Sequence, residues 1–255
     1  MTAVIVERLD PVARVILNRP EKRNALDLGL MDEFGEVLRS LARADWARAV
    51  ILTGAPPAFC AGGDMSPGDE RLEVDDIVER HRSFLRSAEM LLELPKPVVA
   101  AVNGAAVGAG CSLALACDEV IVARSARLGL GFLKMALPPD LFAASLLQRR
   151  AGWTVATDLL HSGRMIGAAE AVELRLAHRQ VDDGNVASAA LDAAHRLAAL
   201  SPFAFAATKA LLRNAWPPAG GSQEAEAMAV AIAVKTSDFE AAVATFRGSG
   251  SGRST

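Results

Sequence analysis

Along the first 200 residues, short apolar runs alternate with longer segments in which apolar positions recur every three or four residues. Residues 2–8 (TAVIVER) and 12–18 (VARVILN) read as two strands joined by a turn at Asp10-Pro11. Residues 28–43 put Leu30, Met31, Phe34, Val37, Leu38 and Leu41 at helical spacing. The unbroken apolar run at 49–53 (AVILT) predicts a buried strand, and 98–102 predicts another. Residues 77–94 are amphipathic, and Pro95-Lys96-Pro97 ends that helix because neither flank of a proline favours one. Shorter strands are predicted at 119–123, 127–130 and 179–181, and helices at 141–150, 154–162 and 168–174. From about Val186 to Phe246 the pattern is alanine-rich and helical, broken at Ser201-Pro202 and at Trp216-Pro217-Pro218.

This order predicts an α/β core over residues 1–200 made of strand-strand-helix units, then a helical region over 201–247. No sequence repeat underlies the repeated units. The last residues, GSGSGRST (248–255), have the composition of a flexible tail, and the polar, acidic stretch 66–76 reads as a mobile loop. With 255 residues, of which 51% are hydrophobic and 22% charged, the chain can bury a substantial core. A net charge of −3 gives no general attraction for nucleic acid, so an anionic ligand would have to be met by local positive groups. Cys60, Cys111 and Cys117 have no metal-ligand spacing and read as reduced core residues, so no metal is expected. No signal peptide opens the chain and no apolar run approaches membrane-spanning length, so no membrane association and a cytoplasmic location are expected.

Two glycine-rich turns stand out. FCAGGD (59–64) follows one strand and VGAGCS (107–112) another. The second is not a dinucleotide fingerprint, because the third glycine is missing and Asp118 and Glu119 come too soon to hold a ribose. Two readings remain. The small residues either let backbones pass close together or let two main-chain N–H groups converge on one oxyanion.

Four segments then carry a resemblance: VILNRPEKRNALD, AFCAGGDM, AAVNGAAVGAGCSLALACDEVIVA and LGLGFLKMALPPDLFAASLLQRRAG. Weaker matches lie in SGRMIGAAEAVELRLA, SPFAFAATKALL and TSDFEAAVATF. Together, in this order and over nearly the whole chain, they resemble the crotonase superfamily, also called the enoyl-CoA hydratase/isomerase family. The resemblance implies a crotonase-like spiral of ββα units with a C-terminal helical trimerisation region, assembling as a homotrimer or a dimer of trimers. It implies an acyl-CoA thioester as substrate in fatty acid metabolism, with coenzyme A entering as part of the substrate and no separate cofactor. The main-chain N–H groups of Gly63 and Ala109 would hold the thioester oxygen. Lys22 and Arg23 would meet the phosphates of coenzyme A, or else lie on a solvated loop. Ala25 and Leu26 would lie near the pantetheine and adenine, with Ala61, Asp64, Met65, Ser112, Phe132 and Leu137 also along the substrate. Asp64 has a second reading as a cap of the following segment. Phe246 would line the site near a neighbouring subunit.

The acids of the family are only partly present. The two glutamates with which its hydratases hold and split water fall on Ser112 and Phe132, which cannot do paired acid–base work. Asp140, in KMALPPDLF, falls where isomerases carry a working carboxylate, and its sequence neighbours are apolar. It either carries a proton between two carbons of the substrate or caps a helix starting at Leu141. Relatives often have glycine two residues on, where this chain has Phe142, and the larger side chain is expected to narrow the pocket. His81, His161, His178 and His195 are expected in helices or at their ends, without partners. Three activities follow in order: double-bond isomerisation by Asp140, weak hydration with Ser112 holding a water, and acyl-CoA binding without catalysis.

Overall fold

The computed structural model describes residues 2–65, 73–214 and 222–250. Strands β1 (Val4–Leu9) and β2 (Val12–Leu17) form an antiparallel hairpin, and β2 then pairs in parallel with β3 (Ala49–Gly54). Strands β4 (Val98–Val102), β6 (Glu119–Ala123) and β9 (Arg179–Val181) extend the same sheet in parallel, in the order β1-β2-β3-β4-β6-β9. β4 is buried at every position and β3 at all but one, which is why their sequences show apolar runs rather than alternation.

A second sheet consists of β5 (Ala105–Val107), β7 (Arg127–Gly129) and β8 (Met165–Gly167), of which the sequence pattern predicts only β7. Isolated parallel bridges, Cys60 to Ala106 and Leu26 to Gly63, continue it toward the earlier turns of the chain. Each turn of the spiral therefore gives one strand to the large sheet, a shorter piece to the small sheet, and then a helix. In the first two turns that shorter piece has shrunk to single bridging residues.

Helix α1 (Leu28–Arg43) begins at Asp27, whose carboxylate accepts from the Leu30 N–H at 2.8 Å. It buries Leu30, Met31, Phe34, Leu38 and Leu41, each contributing roughly 1.5–3 kcal/mol. Helix α2 (Val74–Glu93) packs against α1. It takes up the last three residues of the stretch 66–76 that was expected to be a loop; residues 66–72 lie outside the described residues. Helix α3 (Ala109–Ala116) is short and wholly buried.

Helix α4 (Ala143–Ser162) is broken by Gly152 at φ +80°, which accounts for the two helices expected there. Its start is a correction: Leu141 and Phe142 are not helical but left-handed, at φ +49° and +62°. α5 (Ala168–Glu173) is followed, after β9, by α6 (Val186–Ala198), which covers β2, β3, β4 and β6. Then come α7 (Pro202–Asn214), α8 (Ser222–Val234), which packs on α2, and α9 (Ser237–Gly250). α9 runs three residues into the stretch expected to be a tail; 251–255, like Trp216-Pro217-Pro218, lie outside the described residues. Cys60, Cys111 and Cys117 are buried free thiols, each pushed up to about 12 by burial. Among the described residues no helix is long and apolar enough to cross a membrane.

Candidate active site

The two glycine-rich turns meet. After β3 the chain passes through Gly62 at φ +94°, a conformation that suits glycine. A Cβ there would lie 2.8 Å from the Val107 carbonyl and 3.7 Å from the Ala109 nitrogen, so the two turns are in contact at this point. The bridge to Leu26 uses the Gly62 carbonyl (2.7 Å from the Leu26 nitrogen) and the Asp64 N–H (2.8 Å from the Leu26 carbonyl). In such a parallel bridge the intervening residue's own N–H faces the other way. The Gly63 N–H does so, and among the described residues nothing accepts from it.

Ala109 is the first residue of α3, preceded by Gly108 at φ +52°. Its N–H has no intrahelical partner, as in the first turn of any helix, and no described residue accepts from it. Both readings of the second turn therefore hold at different residues. Gly110 is a close approach, since a Cβ there would come within 2.5 Å of the Cys60 carbonyl oxygen. Ala109 presents a free donor at the positive end of a helix.

Gly63 and Ala109 both line one cavity of about 690 Å³. Lys22, Arg23 and Ala25 line it, as do Ala61, Asp64, Met65, Phe132, Leu137 and Asp140. Met135 and Phe246 add apolar surface, and Arg247 and Glu21 add charge. Phe246 belongs to the same chain's α9, so this chain supplies that contact itself. Arg23 is exposed and, among the described residues, has no ion-pair partner.

Two residues expected along the substrate do not line this cavity. Leu26 is buried at 1% exposure beneath the Gly62–Asp64 turn and holds its main chain. Ser112 is fully buried; its hydroxyl lies 3.0 Å from the main-chain carbonyl of Asp140 and 3.3 Å from that of Gly108. With its one proton directed at main-chain carbonyls, it does not present a hydroxyl to the cavity. Phe142 is also absent from the lining. Its left-handed backbone explains why a glycine would suit the position.

Asp140 is no helix cap. α4 starts three residues later, at Ala143, and the Asp140 carboxylate instead accepts from the adjacent Leu141 N–H through Oδ1. Asp64 caps no helix among the described residues either: its carboxylate accepts from Arg19 Nη2 at 2.9 Å, with both side chains largely buried. Arg19 also donates to the Ala25 carbonyl at 2.7 Å and pairs with Asp27 at 3.0 Å. It ties the basic loop to the turn bearing Gly63, a role that nothing in its sequence context singled out.

The histidine expectation needs two corrections. His81 Nε2 lies 2.9 Å from Asp140 Oδ1, with His81 only 7% exposed. His178 lies just before β9, not in a helix, and its Nδ1 accepts from the Val120 N–H at 3.0 Å.

The family model for enoyl-CoA hydratase/isomerase matches residues 7–248. The chain belongs to this family. The Escherichia coli (strain K12) 1,2-epoxyphenylacetyl-CoA isomerase is 37% identical over 209 residues, covering 80% of this chain and 79% of that one. A probable enoyl-CoA hydratase of Rhizobium meliloti (strain 1021) is 34% identical, covering 83% of this chain and 81% of its own length. The crystal structure of an enoyl-CoA hydratase/isomerase from Mycobacterium paratuberculosis superposes with a TM-score of 0.88 at 28% identity, covering 96% of this chain and 98% of that one. The spiral of strands and helices described above is thus the crotonase fold, and the family supports an enzyme acting on enoyl-CoA thioesters.

Proposed function

We propose that this chain moves a double bond in an enoyl-CoA thioester, with Asp140 as the single proton carrier. One observation carries the reading: Asp140 lines the same cavity as Gly63 and Ala109, whose N–H groups no described residue engages. The thioester oxygen accepts from both N–H groups. Asp140 takes a proton from the carbon next to the carbonyl, and negative charge builds on that oxygen, where the donors stabilise it. The same carboxylate returns the proton two carbons along, so the product has the mass of the substrate. Lys22 and Arg23, exposed residues of the lining, meet the phosphates of coenzyme A. Met65, Met135, Phe132 and Leu137 surround the acyl group.

Hydration is the weaker reading. It needs a second acid or a hydroxyl to orient water, and Phe132 and the main-chain-bonded Ser112 supply neither. Binding without catalysis is the remaining alternative. Exposed apolar side chains on α7 (Phe203, Leu211 and Leu212) support assembly as a homotrimer or a dimer of trimers.

The test is a panel of 2-enoyl- and 3-enoyl-CoA thioesters read by mass spectrometry with the wild type and Asp140→Asn. Isomerisation by the wild type, lost in Asp140→Asn with thioester affinity retained, is the expected result. A product heavier by one water favours hydration. Binding without turnover by the wild type favours the non-catalytic reading.

A further inference from the structure

We infer that His81 is a positioning residue for Asp140, fixing which carboxylate oxygen faces the substrate. This rests on the reading of Asp140 as the proton carrier.

His81 sits on the buried face of α2, one turn from Ile77 and one turn from Leu85, at a position the helix periodicity assigns to core. A polar ring at a core position is costly unless its polar atoms are met. Here the ring edge is aimed across to the segment before α4, and Nε2 reaches Asp140 Oδ1 at 2.9 Å. The contact is close in distance but too far off line to count as an aligned hydrogen bond. Phe84, with its ring centroid 6.4 Å away and nearly parallel, backs the imidazole from the next turn of the helix.

Oδ1 is thus approached from two sides, by His81 Nε2 and by the Leu141 N–H. No described residue bonds Oδ2. With Oδ1 bonded by the Leu141 N–H and His81 Nε2 packed against it at 2.9 Å, rotation of the carboxylate is restricted and Oδ2 is the atom left for the substrate carbon. The main chain here needs such support. Ala136, Leu141 and Phe142 are all left-handed at φ +54°, +49° and +62°, and none is glycine. A conformation of that kind persists only where its surroundings hold it. Ser112 holds the main chain of Asp140 through its carbonyl, and His81 holds the side chain.

The imidazole Nε2 acts as donor and needs no change of charge in the cycle. The amide of glutamine can place a donor near the same point, whereas leucine fills the space without one. With 3-hexenoyl-CoA as probe, His81→Leu lowers kcat about 10- to 100-fold, the scale of one hydrogen bond to a charged group, and leaves KM within about twofold. His81→Gln recovers most of the loss. Thermal unfolding is followed for each variant. Should the leucine variant not fold, His81→Asn replaces it, polar but one methylene too short to reach Oδ1. Wild-type kcat in His81→Leu, or equal losses in the leucine and glutamine variants, overturns the assignment of His81. Asp140→Asn measured alongside separates the two ideas. If it is inactive while His81→Leu is unaffected, only the role of His81 falls. If it retains wild-type turnover, or the wild type isomerises no thioester, the reading of Asp140 falls and that of His81 falls with it.

Discussion

The Ser112 hydroxyl reaches the main-chain carbonyl of Asp140 across 3.0 Å, from a residue with no solvent exposure. Ser112 lies three residues after Ala109 on α3, so one bond joins the helix that presents an N–H donor to the segment that presents the carboxylate. Ser112→Ala leaves that carbonyl without its side-chain donor at the cost of about 1 kcal/mol of stability. If Asp140 is the proton carrier, turnover falls several-fold with KM for the thioester little changed, because its carboxylate shifts relative to the Gly63 and Ala109 N–H groups while the binding surface stays. Steady-state kinetics of the variant checks this. An unchanged kcat would mean that the Asp140 segment holds its position without the serine.

Ala109 offers a clean way to remove a single donor. It occupies the first helical position, where proline's fixed φ and missing N–H are tolerated. Ala109→Pro should therefore keep α3 while deleting one of the two N–H groups at the cavity. If that group holds the developing oxyanion, kcat falls roughly 10²- to 10³-fold. Affinity for a saturated acyl-CoA, measured by calorimetry, changes far less. A variant that binds and turns over like the wild type would remove Ala109 from the reaction.

Much of this site was legible because each turn of the spiral leaves a strong local signature. The buried strands β3 and β4 show as apolar runs, and the glycine turns after them gave Gly63 and Ala109 through the family resemblance. The strands β5 and β8 leave no such signature: Ala105–Val107 runs straight into the glycine-rich turn and Met165–Gly167 straight into α5, whereas the equally short β7 and β9 stand apart from helical pattern. The apolar spacing predicts a helix from Leu141, but a left-handed main chain at 141 and 142 delays it to Ala143. His81 was missed for another reason. A histidine at a core position of an amphipathic helix looks like packing, and its meeting with Asp140 is made by the tertiary fold alone. Arg19 was overlooked in the same way, since its contacts with Ala25, Asp27 and Asp64 appear only once the two loops lie side by side.

The basic loop depends on Asn24, fully buried at φ +58°. Its Nδ2 donates to the carbonyls of Ala55 and Ala58, both at 2.8 Å, and lies 3.3 Å from that of Phe59, while Oδ1 accepts from the Arg19 N–H. Asn24→Ala strands these groups and puts alanine in a left-handed conformation. A loss of roughly 2–4 kcal/mol is expected in denaturant unfolding. If Arg23 next door meets the phosphates of coenzyme A, KM for acyl-CoA should also rise, while KM for a truncated acyl-pantetheine stays level. Equal rises for both substrates would place the phosphates elsewhere.

His178 gives the fold a pH dependence of known sign. Burial beside the β6 strand end, with Arg150 nearby, lowers its pKa below the ordinary 6.5, partly offset by Glu119 and Asp118. The neutral ring is the form that accepts from the Val120 N–H. Because the folded pKa is the lower one, the unfolded chain binds the extra proton first as pH falls. The contribution is therefore complete above about 6.5 and is lost as pH drops from there through the folded value. The residue as a whole is exposed, which keeps the effect modest. His178→Asn replaces Nδ1 with an oxygen that accepts without titrating. Chemical denaturation between pH 8 and pH 5 should show wild-type stability falling more steeply than that of the variant below 6.5, with parallel curves above it. Parallel curves throughout would mean that His178 titrates alike in the folded and unfolded chain.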